Sequence, residues 1–181
     1  MRKILVVVGS GIKGGNTDKL ADAFIKGASE TGHQVDKIFL GDMELHGCRG
    51  CAACQRNGNQ CIVKDIMQEI YPLVEQCDTI VMASPLFFWT LSSQIKAFWD
   101  RLYALSTENR YPYKESALLM TADDDSAWTF EKPDNYYRFI TNAIGWKSLG
   151  GYFAGGCHGA AEKRFIDEKH LRGAYEFGKF I

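Results

Sequence analysis

The sequence predicts an α/β fold in which helices cover both faces of a parallel β-sheet. Two observations support this prediction. Short runs of aliphatic and β-branched residues recur along the chain, as in strands buried on both faces, and segments with apolar residues at helical spacing follow them. The chain has 181 residues with no internal repeat and no linker-like tract, so we expect a single domain over residues 1–181.

Five strands are predicted from these apolar runs, and glycine interrupts only the last of them. They cover residues 4–8, 35–40, 79–83, 117–121 and 149–154.

Five helices are predicted from apolar residues spaced three or four positions apart. The first follows a Gly-rich turn at residues 9–15, with Asn16 or Thr17 as its cap, and ends at Gly32. The others are expected over residues 65–76 with Pro72 inside, after Ser92 or Ser93, from Pro133 onward, and over residues 164–181.

Composition and charge exclude several classes of protein. Hydrophobic residues make up 46% of the chain and charged residues 24%, which is typical of a globular protein and not of a disordered one. The 21 basic and 22 acidic residues nearly cancel, so nucleic acid is not an expected partner. The apolar runs are too short for a membrane helix, and the run at residues 4–8 is too short for a secretory signal. We therefore expect a cytoplasmic protein with no membrane partner.

The Gly-rich turn lies between the first strand and the first helix, where backbone amides at a helix N-terminus attract anions. Its glycines match the dinucleotide pattern G-x-G-x-x-G, but that pattern also requires an acidic residue at the end of the second strand. The nearest candidate, Asp42, lies somewhat beyond the end of that strand. The phosphate loop of nucleoside-triphosphate-binding proteins requires a lysine at the position that Gly15 occupies, so that pattern is not matched.

A single phosphomonoester needs fewer ligands than either of those groups. The hydroxyls of Ser10 and Thr17, the Asn16 amide and the backbone amides of the turn are enough to hold it. The alternative is a turn that binds nothing, and the frequency with which this position of α/β folds holds phosphate favours a phosphate site.

Three predicted strands end at one edge of the sheet, at Ser10, Ser84 and Thr121, and ligands of open α/β sheets bind at this edge. Three aromatic residues at 87–89 follow Ser84, and such a loop tip indicates a flat ligand or a partner surface; the alternative is a loop folded back onto its own core. The backbone after Thr121 is expected to meet the ligand, whereas the acidic side chains next to it are expected to be solvated. A phosphate site beside a site for a flat ring describes FMN.

Four of the six cysteines lie in one Gly-rich loop over residues 46–63. Disulfides are a poor explanation in a reducing compartment. The first three are separated by two residues each and a fourth is nearby, as a [4Fe–4S] cluster needs, because each iron takes one thiolate. Zinc is the alternative metal for these thiolates, although it favours two separated C-x2-C pairs. Thiols without metal are the third possibility.

These motifs resemble those of NADPH-dependent FMN reductases. Residues 9–17 are similar to that family's phosphate loop, and residues 84–88 and 93–101 are similar to its flavin-ring loop and the following helix. The cysteine spacing, followed by residues 62–65, resembles the branch called iron–sulfur flavoproteins. One departure is Gly11-Ile12-Lys13, because family members often have Pro-Arg after the first Gly-Ser.

The resemblance implies a flavodoxin-like three-layer sandwich with a five-stranded parallel sheet of order 2-1-3-4-5. It also implies bound FMN and a homodimer or homotetramer in which the flavin site borders a subunit interface. The implied phosphate ligands are Ser10, Lys13, Asn16 and Thr17. The implied contacts of the ring are Pro85, Leu86, Phe87, Phe88 and Trp89, and those of its polar edge are Thr121, Ala122 and Asp123. The implied cluster ligands are Cys48, Cys51, Cys54 and Cys61.

Together, the residues and the resemblance predict an FMN-dependent oxidoreductase. NAD(P)H is the expected electron donor, a small molecule or a protein is the acceptor, and the cluster is an additional relay. No side chain is predicted as an acid or base catalyst, because the cofactor supplies the chemistry. One alternative is an electron-transfer iron–sulfur flavoprotein that does not use NAD(P)H directly. The other is a non-enzymatic binding module that uses the aromatic loop for protein contact.

Overall fold

The computed structural model describes residues 1–108 and 110–181. Five strands form one sheet of order β2-β1-β3-β4-β5 in which every neighbouring pair is parallel. The strands are β1 (Lys3–Val8), β2 (Gln34–Phe39), β3 (Thr79–Pro85), β4 (Glu115–Thr121) and β5 (Lys147–Ala154). The predicted flavodoxin-like fold and its strand order are confirmed.

Helices cover both faces of the sheet because its strands present apolar side chains on both sides. In β1, Leu5 and Val7 belong to one core and Ile4, Val6 and Val8 to the other. The α-helices are α1 (Asn16–Glu30), α2 (Met67–Gln76), α3 (Ser93–Arg101), α4 (Glu131–Ala143) and α5 (Glu168–Phe180). Short 3₁₀ helices cover Leu40–Asp42, Ala53–Arg56, Leu102–Leu105 and Ala161–Lys163. Among these described residues, no helix has the length and apolar character needed to cross a membrane.

The start of α1 differs from the prediction. Its N-cap is Gly15, which has no side chain to bond the first turn, so the expected capping by Asn16 or Thr17 is wrong. The reason is that both side chains have partners elsewhere. The Asn16 amide donates to the His158 carbonyl oxygen, and the Thr17 and Thr121 hydroxyls lie 2.7 Å apart.

The start of α5 also differs from the prediction, which began this helix at residue 164. Asp167 caps the helix by accepting a 2.8 Å hydrogen bond from the Lys169 backbone amide, and the helix begins at Glu168. The preceding residues 158–165 form a loop that contains the 3₁₀ helix Ala161–Lys163 and is closed by an isolated antiparallel bridge between His158 and Phe165; we call this closed loop the hairpin. This hairpin lies beside the carboxyl edge of the sheet, so the difference bears on the site.

Candidate functional site

A cleft of about 330 Å³ lies at the carboxyl edge of the sheet, between the loops that follow β1, β3, β4 and β5. Such edges are where open α/β sheets bind ligands. The cleft brings together most of the residues that the sequence predicted for FMN. Those that line it are Ser10, Asn16, Thr17, Pro85, Leu86, Phe87, Thr121, Ala122 and Asp123.

One end of the cleft is formed by the Gly-rich turn and the N-terminus of α1. Since Gly15 provides no side-chain cap, the first-turn amides of α1 are available to an anion. A Cβ added at Gly11 or Gly14 would meet nothing within 4 Å, so the turn leaves open space beside its backbone. Gly14 also has φ +70°, a conformation that favours glycine. The turn is thus shaped to admit a phosphate.

The buried carboxylate of Asp18 stabilises the turn and forms an ion pair with a lysine. Asp18 accepts a 2.8 Å hydrogen bond from the Gly14 amide and lies 2.6 Å from the Lys37 ammonium. Burial alone would lower the pKa of Lys37, but its bonds to Asp18 and Asp22 outweigh burial and raise that pKa. Lys37 therefore stays charged and offsets the negative charge of Asp18 beside the cleft.

Asn16 and Thr17 are buried at this end of the cleft. The Asn16 amide nitrogen donates to the His158 carbonyl oxygen at 2.8 Å, while its Oδ1 has no hydrogen-bond partner among the described residues. A buried acceptor left unpaired costs about 1–3 kcal/mol. A ligand with hydroxyl donors would satisfy it, and the ribityl chain of FMN carries such hydroxyls.

Lys13 was predicted from the sequence as a phosphate ligand, but in the structure it lies outside the lining of the cleft. Lys13 is exposed and is not among the residues that line the cleft, whereas Arg164 lines it. Arg164 was not predicted as a site residue, because residue 164 was expected to belong to the last helix. Gln94, Cys157 and Gly159 are further lining residues that were not predicted from the sequence.

The aromatic loop after β3 forms the other wall. Phe87 lines the cleft, and Phe88 and Trp89 line an adjoining hollow with Trp128, whose indole stacks on that of Trp89 at a centroid distance of 6.3 Å. The exposed fractions of Phe87, Phe88 and Trp89 are 56%, 94% and 53%. The alternative of a loop folded back onto its core is therefore wrong.

The aromatic loop is also strained. The backbones of Phe87 and Thr90 exchange hydrogen bonds of 3.1 and 3.0 Å, which closes a two-residue hairpin. Its central residues, Phe88 and Trp89, have φ of 47° and 55°, a region that disfavours large side chains. Strain of this kind is concentrated at functional sites, so an exposed aromatic turn beside a cleft indicates a binding role.

Cys157 is the thiol that lines the cleft. Burial raises the pKa of Cys157 to about 11, so its sulfur stays protonated at neutral pH and is a poor nucleophile. Cys157 therefore contributes a neutral, weakly polar surface to the wall of the cleft.

The four clustered cysteines lie on the loop that leaves β2. Cys48 and Cys51 are exposed, Cys54 is buried and Cys61 is half-buried. Within residues 1–108 and 110–181, no three or more Cys, His, Asp or Glu side chains are gathered as a metal site requires. The structure thus keeps the four thiols on one loop without bringing them together. Gly41 lies in the short 3₁₀ helix between β2 and the cysteine loop, and it packs against the phosphate turn, because an added Cβ would overlap the Ser10 carbonyl oxygen.

The base of the cysteine loop is fixed by a buried ion pair. Arg101 donates to both carboxylate oxygens of Asp65, at 2.7 and 3.0 Å, and to the carbonyl oxygens of His46 and Val63. These two carbonyls lie at the two ends of the loop. In its middle, the Gln55 amide donates to the Tyr103 carbonyl oxygen at 3.0 Å. The loop is therefore anchored at its base and centre, and Cys48 and Cys51 are on its exposed part.

Comparisons with known proteins agree with this geometry. The chain is 34% identical over 100 residues to an iron–sulfur flavoprotein of Archaeoglobus fulgidus, covering 55% of this chain and 45% of that protein. It is 35% identical over 107 residues to an iron–sulfur flavoprotein of Methanosarcina thermophila, covering 59% and 56%. The chain thus spans about half the length of these two relatives.

A solved structure shares the fold over nearly the whole chain. An NAD(P)H:quinone oxidoreductase from Methanothermobacter marburgensis superimposes with a TM-score of 0.76 at 15% identity, covering 98% of this chain and 94% of that one. The family model described as NADPH-dependent FMN reductase matches residues 2–128, which include the phosphate turn, the cysteine loop and the aromatic loop. The chain belongs to the NADPH-dependent FMN reductase family.

Proposed function

We propose that this protein is an FMN-binding oxidoreductase that takes electrons from NAD(P)H and reduces a small-molecule acceptor of the quinone class. The observation that carries the proposal is the cleft, which joins a phosphate-type turn to an aromatic wall in a chain of the FMN reductase family. The solved structure that shares this fold is named as a quinone oxidoreductase, which supports the acceptor class.

The residues of the cleft bind and orient the cofactor. Ser10, Asn16, Thr17 and the first-turn amides of α1 would hold the phosphate and the ribityl chain. The wall formed by residues 85–87 would lie against the ring, and the backbone of residues 121–123 would face its polar edge. Bound FMN would supply the electron transfer between nicotinamide and acceptor.

Two measurements test this function. The purified protein should bind FMN in a fluorescence titration, and the complex should oxidise NAD(P)H when a quinone is present. FMN binding without turnover of either nicotinamide would favour the alternative of a pure electron carrier. A protein that takes up no FMN would contradict the proposal and favour a binding module.

We further propose that Cys48, Cys51, Cys54 and Cys61 hold a [4Fe–4S] cluster. The donor set fits, because four thiolates on one loop match one thiolate per iron, and two relatives are named iron–sulfur flavoproteins. The four thiols are not close together in this structure, so the loop must close to bind a cluster. The parts of the loop that would close lie on either side of Gln55, between this anchored residue and the fixed base. A reducing cytoplasm, where we place the protein, would keep these thiols available.

Anaerobic reconstitution with iron and sulfide tests the cluster. We expect about four irons per chain and an electron paramagnetic resonance signal after reduction, both lost in Cys51→Ala. Cys77→Ala is the matched control, because Cys77 is buried outside the loop, and it should retain the iron. A chain that stays iron-free anaerobically would contradict the cluster and leave zinc or free thiols, which metal analysis distinguishes.

We also propose a homodimer or homotetramer whose interface includes the aromatic loop. The support is the exposure of Phe88 and Trp89 beside the cleft. Sedimentation analysis of the wild type and of Phe88→Ser tests it, and a monomeric wild type would contradict it.

A further inference from the structure

The hairpin at residues 158–165 is fixed to the first turn of α1. The His158 carbonyl oxygen accepts hydrogen bonds from the Asn16 side-chain amide, at 2.8 Å, and from the Phe165 backbone amide, at 3.1 Å. One carbonyl thus closes the hairpin and joins it to the phosphate end of the cleft. Arg164, the residue before Phe165, lines the cleft and donates to the Gly159 carbonyl oxygen at 3.4 Å.

The described lining of the cleft contains one cationic side chain, and this residue belongs to the hairpin that Asn16 joins to the phosphate end. Among the described residues that line the cleft, Arg164 carries the positive charge and Asp123 the negative one. Lys13 is exposed outside this lining, and the Lys37 ammonium is paired with Asp18 and Asp22. A phosphomonoester carries a charge of about −1.5 to −2 at neutral pH. A guanidinium suits it because its planar donors bind two phosphate oxygens at once.

We propose that Arg164 is the cation that binds the phosphate of FMN, and that Asn16 positions it through the His158 carbonyl. This inference rests on the proposed FMN site and assigns to it a residue outside the Gly-rich turn. The chemistry recognised is the phosphomonoester dianion, so Arg164 distinguishes FMN from riboflavin, which has the same ring and ribityl chain but no phosphate.

Titration of both flavins into the same variants tests the assignment. Arg164→Gln should weaken FMN by about 10- to 100-fold, as expected for hydrogen bonds to a charged group, and change riboflavin affinity by less than about 3-fold. Arg164→Lys should give an intermediate loss for FMN. Lys163→Gln is the matched control: it removes the same charge from the neighbouring residue, which lines a separate hollow and not the cleft, and FMN affinity should change by less than about 3-fold.

The outcomes separate this inference from the proposed function. If Arg164→Gln leaves FMN affinity unchanged, or weakens FMN and riboflavin equally, the phosphate assignment is overturned while the FMN site stands. If the wild type binds neither flavin, the FMN site itself is overturned, and the assignment falls with it.

A double variant tests the positioning by Asn16. If Asn16 holds the hairpin that carries Arg164, the loss of FMN affinity in Asn16→Ala with Arg164→Gln should be smaller than the product of the two single losses. Losses that multiply would show independent contacts and overturn the positioning role. Circular dichroism of each variant confirms that the compared proteins are folded.

Discussion

Arg101 and Asp65 form a bidentate ion pair that connects α3 to the base of the cysteine loop. Their side chains are buried, with exposed fractions of 1% and 0%. Asp65 also accepts hydrogen bonds from the backbone amides of His46 and Met67, at 2.9 and 3.0 Å. The pair therefore fixes both the entry to the loop and the start of α2, and so sets where the loop can close.

Removal of one partner from this pair should be costly. Arg101→Met leaves the Asp65 carboxylate buried without its main partner, and we expect the free energy of unfolding to fall by about 3–5 kcal/mol. Urea unfolding at neutral pH measures it. The matched control is Lys96→Met on the same helix, where the ammonium pairs with Asp100 at 2.5 Å on the exposed surface and the expected loss is below about 1 kcal/mol. Equal losses in the two variants would contradict the structural role of the buried pair.

The same pair predicts the acid limit of stability. Burial by itself would raise the pKa of Asp65, but the hydrogen bonds from Arg101, His46 and Met67 outweigh it and hold that pKa below its ordinary value. A depressed pKa contributes stability above the pKa of the unfolded chain, about 3.9, and this contribution is lost as the pH falls through the folded value. The free energy of unfolding should therefore decrease on acidification below about pH 4.

Unfolding experiments from pH 7 downward check this dependence. Asp65→Asn removes the titrating group, so the acid-induced decrease should become shallower than in the wild type, although the variant is less stable at neutral pH. An unchanged slope below pH 4 would show that other carboxylates determine the acid limit.

The sequence predicted the fold and most of the cleft because both depend on local patterns. The run at residues 4–8 and the glycines after it identify a buried strand and a phosphate turn without knowledge of any distant residue. The pair of Asp65 and Arg101 joins residues 36 positions apart, and nothing local to either residue indicates the other. Arg164 was missed for a related reason, because helical spacing continues upstream of the Asp167 cap that begins α5.

Helix packing gives another example of what local patterns omit. Gly27 in α1 and Gly178 in α5 look unfavourable for helices by propensity alone. An added Cβ at Gly27 would overlap the Tyr175 carbonyl oxygen, and one at Gly178 would overlap that of Phe24. These glycines thus allow the two helices to approach closely, which only the tertiary structure reveals.

Thr17 should contribute to FMN affinity. Its hydroxyl lies 2.7 Å from that of Thr121 at the cleft, and this pair is suited to share donors and acceptors with a bound phosphate or ribityl group. Thr17→Ala should weaken FMN by about 1.5–3 kcal/mol, the range for a hydrogen bond to a charged group, as measured by fluorescence titration. Thr31→Ala is the control, because Thr31 lies at the opposite end of α1, and it should leave FMN affinity unchanged. Unaltered affinity in both Thr17→Ala and Asn16→Ala would contradict the phosphate assignment.

The aromatic turn should show opposite effects on stability and on acceptor binding. Phe88 and Trp89 occupy positions with positive φ, where asparagine and glycine are preferred in two-residue hairpins. Replacement by Asn-Gly should therefore raise the free energy of unfolding by about 1–2 kcal/mol, because it relieves left-handed strain. The same change removes both rings from the hollow shared with Trp128, so KM for a quinone should rise several-fold while FMN affinity is maintained. Phe139→Ser is the control, because it removes an exposed aromatic ring from α4 outside the cleft. It should raise neither KM for the quinone nor the free energy of unfolding. A stabilised Asn-Gly variant with wild-type KM would contradict the role of the rings in acceptor binding. It would leave the proposed subunit contact as their role, which an altered oligomeric state of the same variant would support.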